Sequence, residues 1–184
     1  MNTQLKPNIA LIAGGYSKES EVSLKSAKAI MQEIDKSLYN VFYIEISKEK
    51  WVCKHNNQEY IVDKNSFTVQ IDDIVYSFSL AFIIIHGTPG ENGLLQGYFD
   101  MLSIPYTTCN AMVSALTFSK YFCNRVVSSF GLVNVAKSIV LYKLEELNVD
   151  EVSKQISYPC FVKPNAGGSS IGISKVSDKS MLAV

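Results

Sequence analysis

The sequence has no excess of either charge: across 184 residues, 17 Lys+Arg stand against 17 Asp+Glu. That balance removes the electrostatic reason to expect nucleic acid or an anionic membrane surface as a partner. Any bound anion must then be met by local lysines and backbone N–H groups. Paired cysteine spacings are also missing. Cys53, Cys109, Cys123 and Cys160 form no CxxC, which speaks against a zinc knuckle or a redox pair and for reduced thiols in a cytosolic protein. Long apolar runs are absent too. The longest, Leu80 to Ile85, has the length of a strand, far below the ~20 residues that span a bilayer. The start, MNTQLKPNIALIAGG, has too short an apolar run for a secretory signal. These absences predict a cytoplasmic protein with neither a membrane nor a nucleic acid as partner. Histidine is scarce, with only His55 and His86. What is plentiful is apolar residue, 47% of the chain, enough for a packed core.

Periodicity gives the organisation. Ile9 to Ala13 (IALIA) is a continuous apolar run ending at Gly14-Gly15, as a buried parallel strand reads. Ala27, Ile30, Met31, Ile34 and Leu38 then recur at helical spacing, and VFYIEI from Val41 is the next strand. WVCK and EYIVD flank HNNQ, and FTVQI and IVYSF flank a DD pair; both read as hairpins or a small β appendage around residues 48–78. Leu80 to Ile85 returns to the buried-strand pattern, closed by His86 and followed by a helix over Gly93 to Leu102. Residues Ile104 to Thr108 read as a short strand or connector, and Met112 to Phe130 as one amphipathic helix closed by Gly131. Beyond it come a strand at SIVLY, a short helix around Val149 to Ile156, a strand at PCFVK and another in SIGISKV. The pattern predicts an α/β fold: a doubly wound parallel-sheet domain over residues 1–108, then the beginning of an α+β unit over 109–184.

Four stretches carry chemistry. GGYSKESEVS, Gly14 to Ser23, joins a strand's carboxyl end to a helix N-terminus, where open α/β sheets bind ligands. Glu19 and Glu21 there suit the positive end of the helix dipole, with or without a ligand. HGTPGENG, from His86, sits at the end of another buried strand, so His86 is either a ligand contact or a turn histidine satisfied by backbone. Lys120, among aromatic residues in ALTFSKYFCN, has a stem suited to packing and an amine that can be aimed. KPNAGGSSIG, Lys163 to Gly172, is a hairpin tip. Pro164 biases Lys163 towards an extended backbone, and Gly167 and Gly168 let N–H groups approach an anion. It is not a G-x-x-x-x-G-K-[ST] loop, because the lysine precedes the glycines and a strand follows. It reads as a phosphate flap or as a flexible tip with no ligand.

Taken in order, GGYSKESEVS, FIIIHGTPGENGLLQGYFDMLSIPYT, ALTFSK and PCFVKPNAGGSSIGISKV resemble the D-alanine–D-alanine ligase family, an ATP-grasp family. The resemblance covers nearly all of the chain outside residues 48–78. It implies ATP-dependent ligation of two D-alanines through an acyl phosphate, for peptidoglycan synthesis. It implies that Glu19 contacts the ammonium of the first D-alanine, that Ser169 hydrogen-bonds Glu19, and that His86 sits beside that substrate. It implies that Lys120 and Lys163 bind ATP, with Gly167, Gly168 and Ser170 forming the flap over its phosphates. A homodimer is implied as well. Asn92 stands where many relatives carry aspartate. The family's Mg²⁺ ligands, oxyanion arginine and second-substrate loop belong to a C-terminal part that these residues do not contain, so the sequence is expected to be an N-terminal piece of a longer ligase, inactive by itself. D-alanine–D-lactate and D-alanine–D-serine ligation, and a non-catalytic dimerisation module, are the alternatives.

Overall fold

The computed structural model describes residues 6–143 and 148–183; the first five residues of the start lie outside them. The chain divides into two compact units, Met1–Ala115 and Leu116–Val184.

In the first unit a seven-stranded sheet runs in the order β6-β5-β4-β3-β2-β1-β7. The strands are β1 (Asn8–Gly14), β2 (Asn40–Ile46), β3 (Trp51–His55), β4 (Gln58–Asp63), β5 (Thr68–Ile71), β6 (Ile74–Tyr76) and β7 (Leu80–Ile83). β1 pairs in parallel with both β2 and β7, and every pairing from β2 out to β6 is antiparallel. The sheet is therefore mixed, with its parallel part confined to β2-β1-β7. Strand side chains alternate between faces, and the core divides accordingly. Ala10, Ile12, Phe42, Ile44, Ala81 and Ile83 pack on one face, with Leu95 and Phe99 of helix α2 (Leu94–Met101). Leu11 and Ala13 pack on the other, with Ala27 of helix α1 (Ser20–Glu33). Helices on both faces of parallel strands are the doubly wound arrangement the sequence predicts.

Both predicted hairpins form, but they do not make a separate appendage. Glu45 pairs with Val52, and Cys53, Val62, Val69 and Ile71 join the main core cluster. The β-rich middle is thus an antiparallel extension of the same sheet. The connector at residues 104–108 contributes one bridge, Ala81 to Tyr106.

The second stretch departs further from expectation. The single helix expected over residues 112–130 is two, α3 (Ala111–Phe118) and α4 (Lys120–Ser129), broken at the extended Ser119. No residue of α4 is buried, and Phe122 stands 57% exposed. SIVLY forms no strand. Helix α5 (Val149–Gln155) forms as predicted, N-capped by Asn148, whose side chain accepts from the Glu151 N–H. β8 (Cys160–Val162) and β9 (Ser174–Val176) pair antiparallel, and a 3-10 turn over Lys179–Ala183 follows. A small core of Val152, Val176 and Leu182 holds this unit together.

Candidate functional site

In the first unit the site is built where β1 and β7 end. Gly14 and Gly15 hold positive φ, +94° and +106°. A Cβ on Gly14 would stand 2.5 Å from the Ile46 carbonyl oxygen, and one on Gly15 2.6 Å from the Ile85 side chain, so glycine is required at both. The chain then turns into the β7–α2 loop. The Tyr16 N–H donates to the Thr88 carbonyl at 2.8 Å, and Ser17 Oγ donates to the His86 carbonyl at 2.9 Å while accepting from the Glu19 N–H at 3.1 Å. Fully buried Ser23 ties the same two strands from below: its Oγ accepts from the Gly14 N–H (2.9 Å) and donates to the Ile84 carbonyl (2.6 Å). The GGYSKES and HGTPGENG segments are in this way fastened into one surface.

Glu19 stands at the N-cap position of α1 and makes no side-chain cap bond. Its Oε2 lies 3.3 Å from the point a Cβ on Gly87 would occupy, so the carboxylate faces the β7–α2 loop beside His86. Glu21 lies in the first turn of the helix. His86 comes three residues after β7, with its side chain 42% exposed and Nδ1 4.0 Å from Glu91 Oε1. The other Glu91 oxygen accepts from the Gly87 N–H at 2.8 Å. Asn92 uses its extra donor: Nδ2 donates to Thr88 Oγ1 at 3.2 Å, while Oδ1 accepts from the Leu94 N–H at 3.3 Å. An aspartate there would have to accept from the Thr88 hydroxyl instead of donating to it. Buried Gln96 holds the loop from beneath through its amide N–H groups, to the Gly90 carbonyl (2.5 Å) and Thr108 Oγ1 (2.9 Å). Ser17, Ser23, Glu91 and Gln96 were not singled out by sequence reasoning. Ser17 and Ser23 reach partners 69 and 61 residues away, which no spacing rule reports, while Glu91 and Gln96 bind main-chain groups of the loop just before them. A cavity of about 290 Å³ adjoins the surface, lined by Tyr16, Trp51, Lys64, Pro89, Leu94, Leu95 and Tyr98. Across it the Trp51 Nε1–H donates to the Tyr16 hydroxyl at 3.2 Å.

In the second unit Lys163 directly follows β8 and is exposed, at the base of the loop that β8 and β9 carry. The loop backbone enters the left-handed region at Gly167 (+131°), Ser169 (+51°), Ser170 (+57°) and Gly172 (+73°). Two consecutive serines there store strain, on the order of 1–3 kcal/mol each. A Cβ on Gly167 would meet nothing within 4 Å, so that glycine serves the backbone's conformation and not a tight fit. Lys120 opens α4, and its Nζ donates to the Gly167 carbonyl at 2.6 Å and weakly to the Asn165 carbonyl at 3.4 Å. Lys120, Lys163 and the glycine-serine loop are thus brought together within one unit, as Glu19 and His86 are within the other. Among the described residues no cluster of three or more Asp, Glu, His or Cys could hold a metal ion. The described residues therefore do not fit a Mg²⁺ site of their own.

Comparisons with known proteins bear on this arrangement. Residues 8–109 match the family model for the D-ala D-ala ligase N-terminus, and residues 126–184 that for the D-ala D-ala ligase C-terminus. A D-alanine--D-alanine ligase of Phocaeicola vulgatus is 47% identical over 176 residues, covering 95% of this chain and 54% of its own length. Among solved structures, D-alanyl-alanine synthetase A from Vibrio cholerae superposes with a TM-score of 0.85 at 30% identity, over 98% of this chain and 55% of that one. The VanG D-Ala:D-Ser ligase from Enterococcus faecalis does so at 0.83 and 30%, over 97% and 57%. The chain spans about half the length of the curated relatives it matches.

Proposed function

The chain belongs to the D-alanine–D-alanine ligase family, and from that premise we propose that it contributes the first-substrate face and the phosphate flap to an ATP-dependent ligase joining two D-alanines for peptidoglycan synthesis. Residues 1–108 form the substrate domain in this reading, and residues 109–184 begin the ATP-grasp domain. The observation that carries it is the single surface made by the GGYSKES and HGTPGENG loops, with the Glu19 carboxylate turned towards Gly87.

A carboxylate there suits the ammonium of the first D-alanine. It would hold the amino acid by its charged end and leave the substrate's own carboxylate free to react. His86, half-exposed beside it, would line the same substrate. ATP's γ-phosphoryl group passes to that carboxylate, releasing ADP, and the neutral amine of the second D-alanine attacks the acyl phosphate. The tetrahedral adduct then collapses with loss of phosphate and a proton. Phosphoryl transfer asks the protein chiefly for position and positive charge. Lys120, Lys163 and the N–H groups of Gly167, Gly168 and Ser170 would supply both at the phosphates. Ser169 would hydrogen-bond Glu19 when the flap closes. Mg²⁺ would neutralise phosphate charge. Exposed apolar side chains in the second unit, Phe122, Phe130, Leu132 and Phe161, support a reading in which the rest of the family's length packs on it. Exposed Leu94 and Met101 on α2 suit a homodimer through the first unit. A cytoplasmic setting follows, since the substrates and ATP are cytoplasmic. The likeness to a D-Ala:D-Ser ligase keeps D-serine as a competing second substrate.

The test compares Glu19→Gln with Glu21→Gln in a protein carrying the family's full length. The readout is phosphate release with D-alanine, Mg²⁺ and ATP. Glu19→Gln should lower turnover about a hundredfold, the scale of losing one preorganised electrostatic contact, and Glu21→Gln should change it little. Equal effects of the two would remove Glu19 from the site.

A further inference from the structure

Helix α4 begins without a cap of its own: Ser119 occupies the N-cap position in an extended conformation and its side chain caps nothing. The first N–H groups of a helix have no intrahelical partner, and an N-cap side-chain oxygen normally accepts from one of them. Here that oxygen comes from elsewhere in the sequence. Asn165 Oδ1 accepts from the Tyr121 N–H at 2.8 Å, and the Asn165 carbonyl accepts from the Lys120 N–H at 3.1 Å. The Asn165 amide N–H in turn donates to Ser119 Oγ at 2.9 Å. One residue, 44 positions downstream, therefore partners two of the helix's orphan donors and the N-cap hydroxyl together.

Asn165 also stands two residues after Lys163 and two before Gly167, at the root of the glycine-serine loop. The helix it caps begins with Lys120. We propose that Asn165 is a positioning residue: its side chain clamps the loop root to the first turn of α4 and so fixes the two lysines, 120 and 163, relative to one another. The value of the clamp for nucleotide binding rests on the proposed function above; the clamp itself does not. With Asn165 in place, Lys120 is held by its backbone, and its ammonium is left to move between the Gly167 carbonyl and an incoming phosphate oxygen. Without its side chain, the loop root and the helix are joined only by the Lys120 N–H to the Asn165 carbonyl and by the Lys120 ammonium.

The experiment uses the 184-residue chain with Asn165→Ala and Asn165→Asp. An aspartate can accept from the Tyr121 N–H with one oxygen and from the Ser119 hydroxyl with the other, so it should preserve the clamp. Amide hydrogen exchange without nucleotide is read at Tyr121 and across residues 165–172. In Asn165→Ala these amides should exchange about fivefold to tenfold faster, the scale of an intramolecular hydrogen bond in partial contact with water. Those of α5 should be unchanged, and Asn165→Asp should exchange as the parent does. ATP is then titrated calorimetrically into the same variants, with Lys163→Ala alongside, in protein carrying the family's full length. Asn165→Ala should weaken ATP severalfold and Asn165→Asp should restore it. Unchanged exchange at Tyr121 in Asn165→Ala, or failure of aspartate to rescue, overturns the clamp. Faster exchange with ATP affinity lost only in Lys163→Ala overturns its positioning role. No ATP affinity in any of the proteins, with the exchange differences intact, refutes the nucleotide reading of the lysines and leaves the clamp established.

Discussion

Replacing Ser23 with alanine removes a single oxygen atom from the interior of α1 and should cost far more than its size suggests. The side chain is fully buried, and its hydroxyl serves two main-chain groups at once, the Gly14 N–H at 2.9 Å and the Ile84 carbonyl at 2.6 Å. Alanine is nearly isosteric, so little cavity is created. The loss is that of two polar groups left without partners. An unsatisfied buried group costs about 1–3 kcal/mol. The Gly14 N–H is the more enclosed of the two and the Ile84 carbonyl is only part-buried, so the total should fall at about 2–4 kcal/mol. Trp51, the sole tryptophan and itself buried in the first unit's core, reports that unit's unfolding separately from the second. At a urea slope of about 1–3 kcal/mol/M the fluorescence midpoint should fall by roughly 1–2 M with the slope unchanged. Lys28→Ala, on the exposed side of the same helix, should stay within about 0.5 kcal/mol of the parent. A Ser23→Ala midpoint no lower than that of Lys28→Ala would refute the claim that this hydroxyl fastens the two loops.

Two further outcomes follow from the same geometry. In protein carrying the family's full length, Lys163→Ala should weaken ATP binding in a calorimetric titration by roughly tenfold to a hundredfold, since a charge-assisted contact is worth about 1.5–3 kcal/mol; unchanged affinity would contradict the lysine's assignment. Burial pushes the Cys53 thiol up to about 11, and burial followed by neighbouring Glu45 and Asp63 pushes Tyr43 and Tyr98 up to about 12. Raised values mean the fold favours the neutral forms, so their contribution is complete below the unfolded values of 9.0 and 10.0 and is lost as pH climbs through about 11 and 12. Urea midpoints from Trp51 fluorescence should therefore fall steadily above about pH 9, and a flat profile up to pH 11 would count against the burial of these groups.

The parts of the fold legible in the sequence are those whose signal is local. IALIA followed by Gly-Gly and a 3.6-residue repeat specified β1, its loop and most of α1, although the helix ends at Glu33 and leaves Leu38, the last residue of the repeat, exposed in the turn beyond it, and the glycine-serine stretch between two apolar runs specified the β8–β9 hairpin. The middle strands were legible as hairpins but not as part of the main sheet, because that depends on the antiparallel pairing of β2 with β3, from Tyr43 with Lys54 to Ile46 with Trp51, which no turn signal encodes. The break at Ser119 was hidden because apolar residues continue on both sides of it. SIVLY has strand-forming residues, yet residues are made into a strand by a partner, and there is none here among the described residues. The same distinction runs through the site. Glu19, His86, Lys120 and Lys163 stand in short motifs and could be picked out. Ser23 and Asn165 act on backbone groups 61 and 44 residues away, and only the folded chain brings those together.

If these residues form the first-substrate and flap side of a D-alanine–D-alanine ligase, the identity of the product shows it. Protein carrying the family's full length is incubated with ATP, Mg²⁺ and D-alanine, alone or with equimolar D-serine or D-lactate, and the products are identified by mass spectrometry. The 184-residue chain is run in parallel. D-alanyl-D-alanine should be the main product in every full-length mixture, with one phosphate released per dipeptide, and the 184 residues alone should give no detectable product. No D-alanine-dependent phosphate release from the full-length protein, or a mixed product dominating when D-serine or D-lactate is present, would contradict that assignment.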